Sequence, residues 1–254
     1  MSPSERQVVL VTGANQGLGL SIIRVAALRD PAAVYIIACR NVESGHEAVS
    51  KLQTEGVKAD IEVLKLDVTN DLDVMDAVSL IDTKHGKLDV LINNAGINPQ
   101  PADTSLSALR EAYNSTLNVN ISSVAVVSTA FYPLLSKAAN PKVINITSGL
   151  ASMTNVLNPA KKILRYVPYG ASKVGVNGLT VHMQVRENDK ENPKVKFYAA
   201  APGLLKTAFT NYLPFAKEPD AGAEVVVRLM ADKGNYEGGT QWGFEGGEMQ
   251  AIPW

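Results

Sequence analysis

With one cysteine, Cys39, in 254 residues, the chain has no disulfide framework and no cysteine-built metal cluster. Histidine is nearly as scarce: His46, His85 and His182 are scattered without metal-ligand spacing and read as solvent-facing helix positions. The formal net charge is −1 and no Lys/Arg run forms a stripe, so nucleic acid is not an expected partner. No window reaches the ~18 uninterrupted apolar residues of a membrane span, and "MSPSERQVVLVTG" lacks the basic-then-apolar pattern of a signal peptide. The expected location is therefore cytoplasmic, away from membranes. Two chemistries are set aside by missing motifs. "YGASKVG" has one residue too many after Ser172 for a G-x-S-x-G elbow. No G-K-[ST] follows the glycine cluster near the N-terminus, which argues against nucleotide hydrolysis.

What the chain does have is alternation. Hydrophobic residues make up 46% and charged ones 19%, a composition that buries a proper core. Short runs rich in Val, Ile and Leu at 7–12, 33–39, 61–66, 88–93, 142–147 and 194–201 fit strands buried on both faces of a parallel sheet. Between them, segments 17–29, 42–55, 70–85, 104–138 and 169–189 carry helical spacing, and 221–231 reads as a further helix. In the first helix Leu18, Ile22, Val25 and Leu28, with Ile23, form the expected apolar stripe, and Arg24 and Arg29 lie off it. "NYLPFAKEPDAG" reads as loop and "GTQWGFEGGEMQAIPW" as a last strand and tail. No composition break or repeat divides the chain. The fold class is α/β: a single domain, 1–254, with a doubly wound parallel sheet flanked by helices on both faces. Its cofactor-binding core spans about 6–150 and its substrate-binding portion about 145–254.

The first strand-to-helix junction reads "TGANQGLG", residues 12–19. Gly13 ends the strand, and Gly17 and Gly19 open the helix. Glycine lets the backbone turn tightly and approach a ligand, while a helix N-terminus offers free N–H groups and the positive end of a dipole to phosphate. An ordinary turn is the bland alternative, but the first β–α junction of such a sheet is where nucleotides bind.

The loop resembles the T-G-x-x-x-G-x-G of the classical short-chain dehydrogenase/reductases, oxidoreductases with a Rossmann fold. The match continues in order through "LDVTN", "LDVLINNAG", "LNVNISS", "VINITSG", "YGASK" and "AAPGLLKT". "VVLVTGANQGLGL", the "ACRN" after the second strand and the closing tryptophan are most similar to the carbonyl reductase subgroup. The resemblance implies a nicotinamide cofactor held by Gly13, Asn15, Gln16, Gly17, Leu18 and Gly19. By the same resemblance Asp67 and Val68 border the adenine, and Asn94, Ala95 and Gly96 the ribose. Leu205 and Thr207, with Pro202 and Gly203, meet the nicotinamide. Asp67 has a second reading as a helix cap before "TND", and both roles can hold together.

NAD-using Rossmann proteins place an acid after the second strand, whereas an arginine nearby accommodates the 2′-phosphate of NADP. Here Cys39 occupies the acid's place and Arg40 follows it, so NADP(H) is the expected cofactor. Gln16 stands where many NADP-using members carry a second basic residue, which flattens that preference.

Tyr169 and Lys173 are four apart at a helix start and share one face. An ammonium beside a phenol favours the phenolate, so Lys173 is expected to lower the Tyr169 pKa toward working pH. The family pattern makes Tyr169 the proton donor to a carbonyl oxygen. It has Lys173 tune the phenol and hold the ribose, Ser148 bond the substrate oxygen, and Asn120 position a water. Tyr166 has Gly170 four residues on and cannot form the pair; Tyr113 and Tyr132 read as packing.

The expected activity is NADPH-dependent reduction of a ketone or aldehyde. Two alternatives stay open: the same site run as an alcohol dehydrogenase, and a cofactor-binding regulator or cyclisation protein without hydride turnover. The partner is a small carbonyl or alcohol, no metal is expected, and a homo-oligomer stays open. Between Ser148 and Tyr169 the chain is longer than the family usually is. Met153 to Pro168 is expected to wall the substrate pocket, with Ile163, Leu164 and Val167 over an apolar body and Lys161, Lys162 and Arg165 facing water or an acidic substituent. A plain surface loop is the competing reading.

Overall fold

The β-branched and aliphatic runs form strands because each finds a neighbour to pair with, on both edges for all but the first strand of the sheet. In the computed structural model, which describes residues 6–160 and 166–254, these are β1 (Val8–Thr12), β2 (Val34–Cys39), β3 (Asp60–Lys65), β4 (Val90–Asn93), β5 (Lys142–Ile146) and β6 (Lys196–Ala201). Every residue of β1, β2, β4 and β5 is buried, as the unbroken apolar runs require. β3 is the sheet's edge and is only partly buried, with Leu64 its one buried residue. The strand order is β3-β2-β1-β4-β5-β6-β7-β8, so the chain winds outward in both directions from the β1–β4 pair. β1 and β4 are in parallel register, Val9 opposite Val90 and Val11 opposite Ile92. The crevice between their C-terminal ends is the switch point at which such sheets take ligands.

The tail differs from its reading as one strand. β7 (Gln241–Glu245) continues the parallel sheet and β8 (Glu248–Ala251) turns back antiparallel through Gly246 and Gly247.

Helices cover both faces, each over its own apolar cluster. Helix α1 (Gly17–Arg29) has its expected bounds and most of its expected stripe: Ile22 and Ile23 are buried and Leu18 and Val25 pack half-buried on the core. Its buried face is Ile22, Ile23, Ala26 and Ala27, whereas Leu28 is 59% exposed. The small residues let α1 sit close to the sheet and to α8 (Pro219–Met230). Asn41 caps α2 (Val42–Thr54) and Asn70 caps α3 (Asp71–His85) through their side-chain oxygens. The capping role considered for Asp67 therefore belongs to Asn70. His85, expected to face solvent, is tucked against Glu62 at 3.3 Å; His46 and His182 are exposed.

Segment 104–138 is not one regular helix. α4 (Leu106–Leu117) passes through a π turn (Asn118–Ser122) into α5 (Ser123–Leu135). By length and composition Leu106–Leu135 could cross a membrane, yet Val127, Phe131, Leu134 and Leu135 pack in the core under the sheet. The polar stretch after β5 contains a short helix, α6 (Met153–Leu157), capped by Ser152, where a turn-rich connection was expected. α7 (Val167–Asn188) starts two residues earlier than its periodicity, with Pro168 in its first turn.

A buried carboxylate ties α7 to its surroundings. Glu187, 2% exposed, accepts hydrogen bonds from the Tyr132 hydroxyl (2.8 Å), Lys190 Nζ (2.6 Å) and the backbone N–H groups of Lys194 (2.8 Å) and Val195 (3.1 Å). Tyr132 is thus a hydrogen-bonding partner rather than simple packing. Burial alone would raise the Glu187 pKa, but these donors outweigh it and hold the carboxyl at about 2. A folded-state pKa below the unfolded value stabilises the fold above about pH 4–5, and the effect fades as pH falls toward the folded value. Glu187→Gln should therefore lower stability by about 2–4 kcal/mol at pH 7. In urea titrations the gap from wild type should shrink as pH falls from 5 toward 3; a gap independent of pH would contradict the assignment.

Candidate active site

The three glycines of the first loop serve two purposes. Gly13 (φ +63) and Gly17 (φ +57) take left-handed turns that a side chain disfavours. Gly19 instead allows close approach: a Cβ there would lie 2.7 Å from Ala14 Cα and 2.6 Å from Asn94 Nδ2. Gln16 is the N-cap of α1 but makes no capping bond, and the first turn contains no acid. The N–H groups of that turn are left for an anionic ligand.

A residue outside the expected set holds this loop. Thr12 Oγ1 accepts from the N–H groups of Asn94 and Ala95, both at 3.0 Å. Asn94 Nδ2 reciprocates, donating to the carbonyls of Thr12 (2.8 Å) and Gly13 (3.2 Å). β1 and β4 are thereby stitched at the ends that carry the ligand loops.

A cleft of about 1320 Å³ opens there. Its walls include Gly13, Asn15, Gln16, Gly17 and Leu18 from the first loop, and Asp67 and Val68 after β3. Asn94, Ala95 and Gly96 line it after β4, and Pro202, Gly203, Leu205 and Thr207 after β6. Gly19 and Asn120 stand behind the wall. Cys39 is buried, its thiol donating to the Asn41 carbonyl at 3.0 Å, and burial pushes its pKa up. Arg40 is exposed at the cleft edge and makes no ion pair or hydrogen bond to the described residues. Arg24 borders the same end but is held by Glu55 and Asp220. The Asp67 carboxylate accepts from Thr69 N (2.9 Å) and Thr69 Oγ1 (2.7 Å), closing a turn that presents Val68.

At the other end stand Ser148, Tyr169 and Lys173. Ser148 follows β5, and its Oγ accepts from Leu150 N at 3.2 Å. Tyr169 and Lys173 occupy successive turns of α7. Lys173 Nζ lies 5.6 Å from the Tyr169 ring centroid and donates to the Ile146 carbonyl at 2.7 Å. Burial drops the Lys173 ammonium to about 8. Burial also raises the Tyr169 phenol, with hydrogen bonding to Ser148 pulling the other way. The direction is opposite to the lowering expected from Lys173. The ammonium is aimed at Ile146 rather than at the phenol oxygen, so desolvation decides.

Asn120 is fully buried in the π turn. Both its donors are engaged, to the Ile97 carbonyl (3.0 Å) and Ser172 Oγ (2.9 Å), while Oδ1 accepts from Ile97 N (2.9 Å). Its side chain staples the π turn to α7 and to the loop after β4. Gly96 lies over it: a Cβ would come within 3.3 Å of Asn120 Oδ1 and 3.8 Å of Lys173 Nζ.

The segment expected as a pocket wall is divided. Tyr166 lines the cleft. Met153 and Leu157 are exposed and off it, and the Thr154 N–H donates to the Trp254 carbonyl at 3.1 Å. Val167 is 64% exposed and does not border the cleft. Lys161, Lys162, Ile163, Leu164 and Arg165 lie outside the described residues. Two further residues went unnoticed in the sequence. Phe209 packs its ring 5.5 Å from that of Tyr169. Gln241 of β7, fully buried, donates to the Ser148 carbonyl at 2.9 Å and accepts from Asn177 Nδ2 at 2.8 Å.

The short chain dehydrogenase family model matches residues 7–217. The chain belongs to the short-chain dehydrogenase/reductase family. It is 51% identical over 261 residues to a short-chain dehydrogenase/reductase of Aspergillus fumigatus, covering 100% of this chain and 99% of that one. It is 31% identical over 221 residues to another from Talaromyces stipitatus, 80% of each. In three dimensions it is similar to the NADPH-bound carbonyl reductase from chicken fatty liver, with a TM-score of 0.80 at 23% identity over 98% of this chain and 99% of that one. Salutaridine reductase from Papaver somniferum gives 0.77 at 22%, over 93% and 99%. Short-chain dehydrogenase/reductases are oxidoreductases that act on small molecules with a nicotinamide cofactor. The uncapped α1, the left-handed glycine turns and the cleft's size fit such a group.

Gln241 yields a test of how the site is held. Gln241→Leu removes the donor to the Ser148 carbonyl and leaves Asn177 without its partner. Displacing a reacting group by even 1 Å costs about a hundredfold, so kcat should fall roughly ten- to a hundredfold with cofactor Kd unchanged. An unaltered kcat would show that Ser148 is placed without Gln241.

Proposed function

We propose that this short-chain dehydrogenase/reductase is an NADPH-dependent reductase of a ketone or aldehyde, with Tyr169 as proton donor. The observation that carries the reading is the layout of one cleft. An uncapped helix end and the unpartnered Arg40 stand at one end, and Ser148, Tyr169 and Lys173 converge at the other. The similarity in fold to an NADPH-bound carbonyl reductase supports it.

Reduced nicotinamide, when bound, supplies the hydride. The chain's own residues manage the oxygen. Ser148 Oγ hydrogen-bonds the carbonyl oxygen and fixes its position. Tyr169 gives its proton to that oxygen as hydride reaches the carbon, so an alcohol and a phenolate result. Burial keeps the phenol protonated at neutral pH, the form a reduction consumes. The same burial opposes the phenolate, and a nearby positive charge has to offset it. Lys173, one turn along α7, is that charge while it remains an ammonium. At the far end Arg40 stands free to pair with a 2′-phosphate, where a carboxylate would repel it.

Tyr169→Phe should cut turnover about 10²–10⁴-fold, with cofactor Kd unchanged. The Lys173 value of about 8 sets the pH dependence. The ammonium is present below it and lost above, so kcat/KM for reduction should be flat below pH 7.5 and decline through 8 and beyond. Lys173→Arg, which stays charged, should abolish that decline. Substantial reductase activity in Tyr169→Phe would require another acid.

Cofactor choice is tested separately. Charge-assisted bonds to phosphate contribute about 1.5–3 kcal/mol, or about ten- to a hundredfold. Arg40→Ala should weaken NADPH by that factor in a fluorescence titration and leave NADH nearly unchanged. Equal losses for the two cofactors would overturn the assignment.

A further inference from the structure

The chain is poor in aromatics, with five phenylalanines, two tryptophans and eight tyrosines. Most are buried or half-buried. Those exposed among the described residues are Tyr166 (38%), Phe209 (46%), Tyr212 (63%), Phe215 (72%) and Trp254 (40%). Four of these five lie on the two segments that flank the Tyr169 end of the cleft, and Tyr166, Phe209 and Tyr212 line it directly. Aromatic surface left in water is unfavourable, and its concentration at one cavity mouth marks a place where apolar material is taken up.

The backbone supports this. Asn211 (φ +50) and Tyr212 (φ +52) are the only non-glycine residues with positive φ among the described ones. For a bulky side chain that conformation is an outlier, and it is held here by the Tyr212 N–H donating to the Thr207 carbonyl at 2.9 Å. A glycine would occupy the position without strain; a tyrosine stands there with its ring on the cleft. Charge supplies the third constraint. Where residues from the β4 loop, the β5 end, α7 and the β6 loop line the cleft, Lys173 and Lys206 are the only charged groups among the described residues, and no carboxylate is present. Lys206 pairs with Glu218 at 3.5 Å.

We propose that Phe209, Tyr212 and Tyr166 form an aromatic clamp beside Tyr169, and that the substrate is a ketone or aldehyde carried on a planar aromatic ring without a positive charge. The inference rests on the carbonyl reductase reading of the same cleft. The tilted contact of Phe209 on Tyr169 (58° between planes) lets a ring stack against Phe209 while its carbonyl substituent reaches the Tyr169 hydroxyl and Ser148. A flexible acyl chain gains less from this arrangement than a planar ring, and a cationic substrate is repelled by Lys173 and Lys206.

The test pairs 2-acetylnaphthalene with its fully hydrogenated twin, which has the same carbon skeleton and carbonyl but no planar ring. Aromatic pairing is worth about three- to tenfold for each contact. Wild-type enzyme with NADPH should therefore favour the aryl ketone in kcat/KM by about tenfold or more. Phe209→Leu and Tyr212→Leu, which keep apolar bulk but remove the ring, should each lower that ratio about three- to tenfold. Tyr212→Gly relieves the backbone and should lose the preference while melting no earlier than wild type. Calorimetric binding of the two ketones to the NADP⁺-loaded enzyme separates the readings. Tighter binding of the aryl twin without turnover in the NADPH assay keeps the clamp and removes the reductase reading. Equal rates and equal binding for the twins, or variants that leave the ratio where it was, overturn the clamp and leave the reductase reading intact.

Discussion

Everything at the cleft depends on how the ends of β1 and β4 are held together. The two strands lie side by side, but the chain departs from them to opposite sides of the sheet, which leaves a crevice with no connection crossing it. Unsecured, the two loops would move independently. Thr12 prevents that: one buried hydroxyl accepts from two consecutive N–H groups of the β4 loop, and Asn94 returns two bonds to the first loop. Backbone polar groups that the sheet no longer pairs are thereby satisfied where a ligand must approach. The approach of Gly13 to Ala95 and of Gly19 to Asn94 is the steric counterpart of that stitch.

A second layer of buried polar side chains stiffens the centre. Asn93 and Asn145 are register partners on β4 and β5, and Asn93 donates to Asn145 Oδ1 at 2.8 Å and to Ser128 Oγ at 2.9 Å. Asn145 in turn donates to Thr180 Oγ1 at 2.9 Å. α5 and α7 are thus fixed to the sheet by directional bonds as well as by apolar contact. Gln241 does the same for the Ser148 backbone from β7, and Asn120 for the β4 loop from the π turn. Apolar packing alone tolerates sliding, whereas a fully paired polar network specifies one arrangement. On the proposed mechanism Ser148 and Tyr169 share one carbonyl oxygen, and that sharing needs such uniqueness.

Much of this was legible in the sequence, and the rest was hidden for physical reasons. Strands β1, β2, β4 and β5 fell within a residue or two of their apolar runs because burial on both faces writes itself as an unbroken run. Helix α1 was read to the residue and its stripe missed only at Leu28, since small residues such as Ala26 and Ala27, which are buried in its place, count for little in an apolar stripe. The β7–β8 hairpin had its signal in "EGGE", two glycines between alternating residues, and was overlooked. The π turn had none: one extra residue in a helix changes no periodicity that 35 residues of apolar spacing can reveal. Among site residues, the order of motifs assembled most of the cleft wall. Gln241 and Phe209 were out of reach because they lie 93 residues beyond Ser148 and 40 beyond Tyr169 and belong to no shared spacing.

The least legible property was the environment of Tyr169 and Lys173. Spacing puts Tyr169 and Lys173 on one helix face, but not in water or out of it. Out of water, burial favours the neutral form of each, raising the phenol and lowering the ammonium. As the proposed proton donor, Tyr169 then keeps its proton until the substrate's oxygen begins to accept charge, while Lys173 stays close to releasing a proton of its own near pH 8. On the proposed mechanism the two shifts are complementary. The neutral phenol holds its proton, and the amine that must balance the resulting phenolate titrates at about 8, close to working pH. Desolvation, which makes both groups reluctant to ionise alone, also strengthens the attraction between them once they ionise together. The same low-polarity environment that opposes charge at the cleft floor, where Lys173 is buried and Tyr169 half-buried, would support it in the proposed reaction.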